Sequence, residues 1–116
     1  MLWEVEYTDQ FEEWWLTLNG DDQENIRACV AVLQELGPAL GRPLVDTLKG
    51  SRHSNMKELR ATVGNIRILF AFDPRRTALL LLGGDKTNRW RLWYQRMIPI
   101  ADRLYDEHLE VLQKGG

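Results

Sequence analysis

The first third of the chain changes from a strand pattern to a helix pattern. In "LWEVEY" (2–7), large apolar residues alternate with acidic ones, which predicts a strand with one buried face. Thr8 is the predicted N-cap of a helix whose apolar residues recur at helical spacing: Phe11, Trp14, Trp15 and Leu18. A second helix is predicted to begin after the cap Asp21, with Glu24 at the capping-box position, and to stop at Gly37.

The remaining pattern predicts an irregular segment, three strands and a last helix. Residues 37–55 are rich in Pro and Gly, which predicts a long irregular loop and a functional candidate. Strands are predicted near 56–61, 66–73 and 77–84, and Pro99 is predicted in the first turn of the last helix. The order βααβββα indicates an α+β fold, with a small mostly antiparallel sheet packed against helices. A chain of 116 residues is predicted to form a single domain, 1–116.

Two arginines stand on either side of the turn predicted in "KELRATVGNIRILFAF" (57–72). A loop of two or four residues is expected to bring Arg60 opposite Leu69. Because side chains alternate across a strand, Arg60 and Arg67 then share one face with Glu58. The other face is predicted to be apolar and consists of Leu59, Ala61, Ile66, Ile68, Phe70 and Phe72.

The same parity extends to the next predicted hairpin. A loop of two or four residues across "DPRR" would pair Leu80 with Leu69 and Leu82 with Arg67. Lys86 would then lie on the arginine face, so Arg60, Arg67 and Lys86 are expected to converge at one end of it, with Leu69, Ala71 and Leu80 forming its apolar end. An odd loop length in either hairpin would break this geometry.

Charge is strongly segregated along the chain despite a net charge of −2. Residues 1–48 hold ten Asp or Glu and two Lys or Arg, residues 49–96 hold three and eleven, and residues 97–116 hold four and two. The central basic block indicates either a phosphate-binding face or a basic sheet that balances acidic helices. On the second reading, the arginines are surface residues paired with Glu58, Asp85 or the helices.

Other classes of protein find little support in the sequence. The longest aliphatic run, Leu79–Leu82, is far too short to span a membrane, and the N-terminus has no signal-peptide pattern. A lone cysteine, Cys29, cannot form an internal disulfide, which fits a cytoplasmic location. No metal, nucleotide, flavin or haem motif is present, so no cofactor is expected. His53 is predicted to be a solvated loop residue and His108 a helix-packing residue.

Three stretches of the chain carry a resemblance to a known family. "LKGSRHSNMKELR", the strand "RILFAF" and the "GGDKT" after the last strand resemble the HigB group of the RelE/ParE-like toxins, with which the phage Gp49-like proteins belong. The resemblance covers nearly the whole chain and implies a RelE-like fold. It also implies a toxin of a type II toxin–antitoxin system that cuts mRNA in the ribosomal A site without metal.

The resemblance also implies roles for individual residues. Arg67 matches the arginine that contacts the scissile phosphate, Arg60 and Lys86 match basic site residues, and Asp46 resembles a general base of one RelE-like branch. Trp90, Trp93 or Tyr94 would supply the C-terminal aromatic, with Tyr94 grouped among the catalytic candidates. The predicted RNA-binding residues lie in the basic block and its aromatic neighbour: Lys49, Arg52, Lys57, Arg89, Trp90 and Arg91.

The implied partners are mRNA on the ribosome and a cognate helix-turn-helix antitoxin, with operator DNA reached only through that antitoxin and no membrane. Arginine suits RNA cleavage because its planar fork binds phosphate bidentately and always stays charged. Two other functions remain open for the same fold. One is a ParE-like poison of DNA gyrase that cuts nothing itself, and the other is a non-catalytic homologue that acts only as a binding partner.

Overall fold

The architecture is a five-stranded sheet with helices on both faces. A computed structural model describes residues 2–62, 64–85 and 90–115 of the chain. The elements in chain order are β1 (Val5–Tyr7), α1 (Asp9–Trp15), α2 (Gly20–Leu36), a short 3-10 turn (Gly37–Ala39), β2 (Val45–Thr47), β3 (Met56–Arg60), β4 (Ile66–Phe72), β5 (Ala78–Asp85) and α3 (Trp90–Lys114). The predicted α+β class is confirmed.

The strand order in the sheet is β1-β5-β4-β3-β2, with β1 parallel to β5 and all other neighbours antiparallel. Helices α1 and α2 cover one face, where Phe11, Ile26 and Leu33 pack on Ile68 and Phe70. Helix α3 covers the other face through a second group of buried residues that includes Leu69, Ala71, Ile98, Leu104 and Tyr105. No helix in the described ranges is long and apolar enough to cross a bilayer.

The predicted helix starts are partly right. The Thr8 hydroxyl accepts a hydrogen bond from the Phe11 N–H at 3.0 Å, so Thr8 caps α1 as predicted. For α2 the prediction was wrong, because Asn19 is the N-cap and its side chain accepts from the Asp22 N–H at 2.8 Å. Asp21 instead lies inside the first turn of α2, where a carboxylate favours the positive end of the helix dipole.

Helix α3 is longer than predicted. It begins at Trp90, so Pro99 lies inside the helix and not in its first turn. A proline there removes one backbone hydrogen bond. The helix continues because residues on both sides of Pro99 are buried against the sheet, among them Ile98 and Ala101.

Residues 37–55 are not wholly irregular, because they contain the short strand β2. Three residues pair with β3 in antiparallel register, and Asp46 lies opposite Glu58. A strand of three residues between Pro/Gly-rich segments leaves almost no alternation to read, and its pairing with β3 supplies the stabilisation. The candidate base Asp46 therefore lies on a sheet strand and not in a loop.

The β4–β5 register also differs from the prediction. A register shift between Leu69 and Phe70 makes Leu69 pair with Leu82, while Phe70 pairs with Leu80. Leu80 therefore packs on the α1/α2 face, and the predicted apolar end of the arginine face loses it. Leu79, Leu81 and Leu82 supply that end. Bulges arise from tertiary packing and have no reliable pattern in a single sequence.

The β4–β5 turn is held by a buried carboxylate. Asp73, whose side chain is inaccessible to solvent, accepts hydrogen bonds from Arg75 at 2.8 Å and contacts His108 Nε2 at 2.8 Å. Burial by itself raises the pKa of Asp73, but the bonds from His108 and Arg75 outweigh it and hold the pKa below the ordinary value. The predicted packing role of His108 is confirmed.

We expect Asp73→Asn to lower the free energy of unfolding by roughly 1–3 kcal/mol, because it leaves buried donors without their charged acceptor. A depressed folded pKa contributes stability that is present above the ordinary aspartate pKa of 3.8 and lost as pH falls through the folded value. The difference between wild type and Asp73→Asn should therefore shrink under acidic conditions. Urea titrations at pH 7 and pH 3 measure it, with the exposed Glu107→Gln on α3 as control. Equal stability of wild type and Asp73→Asn at pH 7 would contradict the assignment.

Candidate functional site

The two hairpin arginines face each other directly across β3 and β4. Arg60 pairs with Arg67, and the Ala61 N–H donates to the Ile66 carbonyl at 3.3 Å. The predicted pairing of Arg60 with Leu69 is therefore wrong, since Leu69 pairs with Glu58. The predicted shared face is nevertheless confirmed, because opposed residues lie on the same side of a sheet.

Arg60 is neutralised by two carboxylates on its own face. Its Nε and a terminal nitrogen donate to Glu58 Oε1 at 3.0 and 2.9 Å, and a terminal nitrogen also reaches Asp46 Oδ2 at 3.3 Å. Asp46 is bound in turn by Arg42 at 3.1 Å. The Arg42 hydrogen bond outweighs desolvation and lowers the pKa of Asp46. The charge of Arg60 is thus already paired with two carboxylates of the protein itself.

Arg67 is bound quite differently from Arg60. One terminal nitrogen donates to the Ile66 carbonyl at 2.9 Å, and Nε is buried without a hydrogen-bond partner. Within residues 2–62, 64–85 and 90–115, Arg67 takes part in no ion pair. A guanidinium whose charge is not matched by a nearby carboxylate is suited to bind an incoming anion.

Helix α3 contributes Tyr94 to the same group of side chains. Its hydroxyl donates to Glu58 Oε2 at 2.5 Å, so one buried carboxylate bridges Tyr94 and Arg60. Burial first, and then the bond to Glu58, raise the pKa of Tyr94 to about 12, although the nearby Arg67 partly opposes them. The phenol is therefore neutral at physiological pH.

Two more aromatic side chains lie beside Tyr94. Trp93 contacts it edge-on, with ring centroids 5.1 Å apart, and Trp90 lies at 6.4 Å. Trp90 is half exposed, and the Arg91 guanidinium lies over its ring at 5.3 Å. The start of α3 thus presents aromatic and cationic surface next to the arginine pair.

The remaining predicted residues are distributed around this group. Lys49 and Arg52 are exposed in the segment after β2. Lys57 pairs with Phe70 and so lies on the α1/α2 face, away from Arg60. Lys86 and Arg89 fall outside the described residues.

The loop after β2 is fastened to α3. The Ser51 hydroxyl donates to the buried Asp102 at 2.5 Å, and Arg52 forms an ion pair with Asp106. His53 Nε2 lies 2.7 Å from Asp106 Oδ1 and its side chain is mostly buried. The prediction of a solvated His53 was therefore wrong, because α3 supplies a carboxylate that the local sequence does not reveal.

Two cavities border residues of the site, one at the arginine pair and one at Tyr94. One, of about 370 Å³, is lined by residues of the hairpin and the segment before β2: Pro43, Leu44, Arg60, Ala61, Thr62, Gly64 and Arg67. The other, of about 440 Å³, lies between the loop after β2 and α3 and is lined by Gly50, Arg52, Tyr94, Gln95, Ile98, Pro99 and Asp102. In the part of the chain that the structure describes, no three His, Cys, Asp or Glu side chains are arranged to hold a metal ion.

The arrangement brings together four predicted residues, namely Arg60, Arg67, Asp46 and Tyr94, and adds Glu58 at their centre. From the sequence alone, Glu58 is expected only to neutralise a neighbouring arginine. The signal for a larger role was available, since Glu58 lies two residues before Arg60 and therefore on its face. Its contact with Tyr94 was not readable, because it depends on how α3 packs.

Comparison with known proteins identifies the family. The model of the phage derived protein Gp49-like family matches residues 13–106. The chain belongs to this family. The match covers the whole site group, from β2 to the first half of α3.

Two curated proteins of Mycobacterium tuberculosis (strain ATCC 25618 / H37Rv) are similar to this Gp49-like chain. "Putative toxin HigB3" is 48% identical over 107 residues, which cover 92% of this chain and 94% of that protein. "Putative toxin HigB2" is 53% identical over 98 residues, covering 79% of this chain but 49% of that longer protein. The chain is thus similar over most of its length to HigB-type toxins, as its sequence motifs indicated.

Among solved structures, the crystal structure of the intact E. coli RelBE toxin–antitoxin complex contains a similar fold. The TM-score is 0.58, at 10% sequence identity, over 72% of this chain and 95% of that one. At this identity the likeness shows the fold alone, and it confirms the predicted RelE-like architecture.

The contact between β5 and α3 at the site gives a testable prediction. A Cβ added at Gly84, which pairs with Arg67, would lie 2.4 Å from Trp93 Nε1. We expect Gly84→Ala to force Trp93 outward and to destabilise the fold by about 1–3 kcal/mol. Thermal unfolding measures it, with Gly20→Ala as the matched control because a Cβ there meets nothing within 4 Å. Equal effects of the two substitutions would mean that Trp93 does not pack on Gly84.

Proposed function

We propose that this HigB-type chain is the toxin of a type II toxin–antitoxin pair and acts as a ribosome-dependent mRNA endonuclease. The observation that carries the proposal is the contrast between the two opposed arginines. Arg60 is held by Glu58 and Asp46, whereas Arg67 has no carboxylate partner in the described chain and keeps a buried Nε unsatisfied. A strand that is otherwise apolar gains nothing in stability from such a charge.

RNA carries its own nucleophile, so the proposed reaction needs no metal and no covalent intermediate. The 2′-oxygen loses its proton and attacks the adjacent phosphorus, the bond from phosphorus to the 5′-oxygen breaks, and the departing oxygen takes up a proton. Negative charge accumulates on the phosphorane oxygens between these events. We assign Arg67 to stabilise that charge, a task for which a bidentate guanidinium is well suited.

The other site residues fit supporting roles. Asp46 resembles a general base, yet its lowered pKa makes it a weak one, and its contacts with Arg42 and Arg60 favour a role in holding Arg60. Trp90 and Tyr94 offer rings on which an unstacked base could pack. The predicted role of Lys86 as a basic site residue is retained as a proposal.

The surface proposed to grip RNA is smaller than the sequence suggested. Lys49, Arg52 and Arg91 are exposed on elements that border Tyr94, and Arg89 remains a proposal by its place in the chain. Lys57 is dropped, because it lies on the opposite face of the sheet. The RNA path would cross the arginine face between the two cavities described above.

We also propose a cognate helix-turn-helix antitoxin as the partner, with operator DNA contacted only through it. The support is the family and the likeness in fold to the toxin of a toxin–antitoxin complex. The exposed basic residues around Tyr94 are one surface that such a partner would cover.

Arg67→Ala should abolish mRNA cleavage and growth arrest while the protein stays folded. Loss of one preorganised donor typically costs about 10²–10³ in rate. Arg67→Lys keeps the charge but loses the planar fork, so it should also be strongly impaired. Primer-extension analysis of mRNA during in vitro translation measures cleavage, and Arg103→Ala, an exposed arginine on the far half of α3, is the control.

Melting curves accompany both variants. A folded Arg67→Ala protein that still cuts mRNA would contradict the assignment, and an unfolded one would make Arg67 a structural residue. A parallel DNA supercoiling assay tests the gyrase alternative. Wild type that inhibits gyrase and leaves mRNA intact on ribosomes would replace the nuclease proposal.

If the exposed cations around Tyr94 grip an RNA backbone, affinity for single-stranded RNA should fall steeply with salt. Neutralising about three phosphates gives a slope near −2 in log affinity against log salt, since each single-strand phosphate contributes about 0.7. Fluorescence anisotropy of labelled RNA, recorded at KCl concentrations from about 50 to about 300 mM, measures this slope. A double substitution of Lys49 and Arg91 to Gln should flatten the slope, and a flat wild-type response would leave the basic block as a partner of the acidic helices.

A further inference from the structure

The carboxylate of Glu58 is buried at the centre of the site, although the proposed chemistry assigns it no part. It is 4% exposed and accepts hydrogen bonds on both oxygens. Oε1 receives two bonds from Arg60, and Oε2 receives the Tyr94 hydroxyl. It therefore joins the end of β3 to the start of α3.

We propose that Glu58 is a positioning residue of the nuclease: its carboxylate fixes the Tyr94 phenol and the Arg60 guanidinium side by side, so that Arg67 alone is left to bind the scissile phosphate. This inference rests on the proposed function and deepens it. The two opposed arginines then have different roles because their contacts differ: Arg60 is held by Glu58, and Arg67 binds phosphate.

Three observations support this division. A carboxylate that accepts from two donors in a buried site holds both with little freedom, because charge-assisted bonds are the strong ones. The Arg60 nitrogens that face Glu58 cannot at the same time present a bidentate fork to phosphate. Tyr94 reaches the arginine pair from a separate element, α3, and small displacements at a reacting centre can cost about 100-fold in rate.

The groups that face Tyr94 come from several elements. They are Glu58 and Arg60 on β3, Arg67 on β4 and, lining the same cavity as Tyr94, Arg52 and Asp102. Asp46 on β2 reaches this set only through Arg60. Glu58 is thus the carboxylate among the described residues whose removal should alter Tyr94 directly.

The test is the ionisation of Tyr94 in the RNA-free protein. Tyrosine labelled with ¹³C at Cζ reports each phenol by NMR, and Tyr94→Phe assigns the signal. With a pKa of about 12, roughly a tenth of Tyr94 is ionised at pH 11. Glu58→Gln should lower the pKa by about one unit and raise that fraction to about half.

The matched control is Asp46→Asn, which removes the other carboxylate on Arg60 but has no bond to Tyr94. It should leave the ionised fraction of Tyr94 at the wild-type level. Circular dichroism at pH 11 verifies that each protein is folded. If Glu58→Gln does not fold, Glu58→Asp serves instead, because a side chain shorter by one methylene cannot hold both partners and should shift Tyr94 in the same direction.

Cleavage kinetics provide the second readout. Glu58→Gln should lower kcat for mRNA cleavage by about 100-fold and change KM little, because positioning acts on the bound complex. An unchanged Tyr94 ionisation, or cleavage by Glu58→Gln at the wild-type rate, would overturn the inference. Wild type that cuts no mRNA would overturn the proposed function instead, while the Tyr94 titration would still decide whether Glu58 holds the phenol.

Discussion

Two guanidinium groups directly opposite each other on adjacent strands form the constraint on which this site depends. Like charges in a cross-strand pair repel, so the hairpin tolerates Arg60 and Arg67 only if something offsets them. The fold offsets one of them, by placing Glu58 two residues before Arg60 and Asp46 on the neighbouring strand. Because only one of the two arginines is paired with carboxylates, the other is left to bind an anion. This difference matters more for the site than the number of positive charges.

Helix α3 completes the site because it extends from the buried core of the sheet to the partly exposed end that carries the arginines. Its middle turns bury Ile98, Ala101 and Leu104 on the strands, which anchors the helix. Its first turns then extend over the arginine end and bring Tyr94 to Glu58. The loop after β2 is fastened to the same helix through Ser51 and Asp102. Core packing therefore sets the positions of Tyr94 and Asp102 on α3.

Much of this arrangement was readable from alternation along the strands. Because side chains alternate along a strand, the sequence predicts that Arg60 and Arg67 share one face and that the opposite face is apolar. An error of two residues in the pairing partner does not change this result. The register beyond Leu69 was not readable, because an inserted residue in one strand shifts every pair that follows. The family motifs supplied the candidate residues of the site, but only the packing of α3 showed that Glu58 connects Arg60 with Tyr94.

The environment of Arg67 also has a consequence for the evolution of this sequence. Among the residues that the structure describes, Arg67 has no carboxylate partner and its buried Nε has no hydrogen bond, and both lower the stability of the folded state. Substitution by a neutral side chain would relieve it, so drift alone would be expected to erase the arginine from a chain released from selection. Homologues that keep this arginine opposite the carboxylate-paired Arg60 would therefore be the functional ones. Homologues that have lost it would be expected to be non-functional.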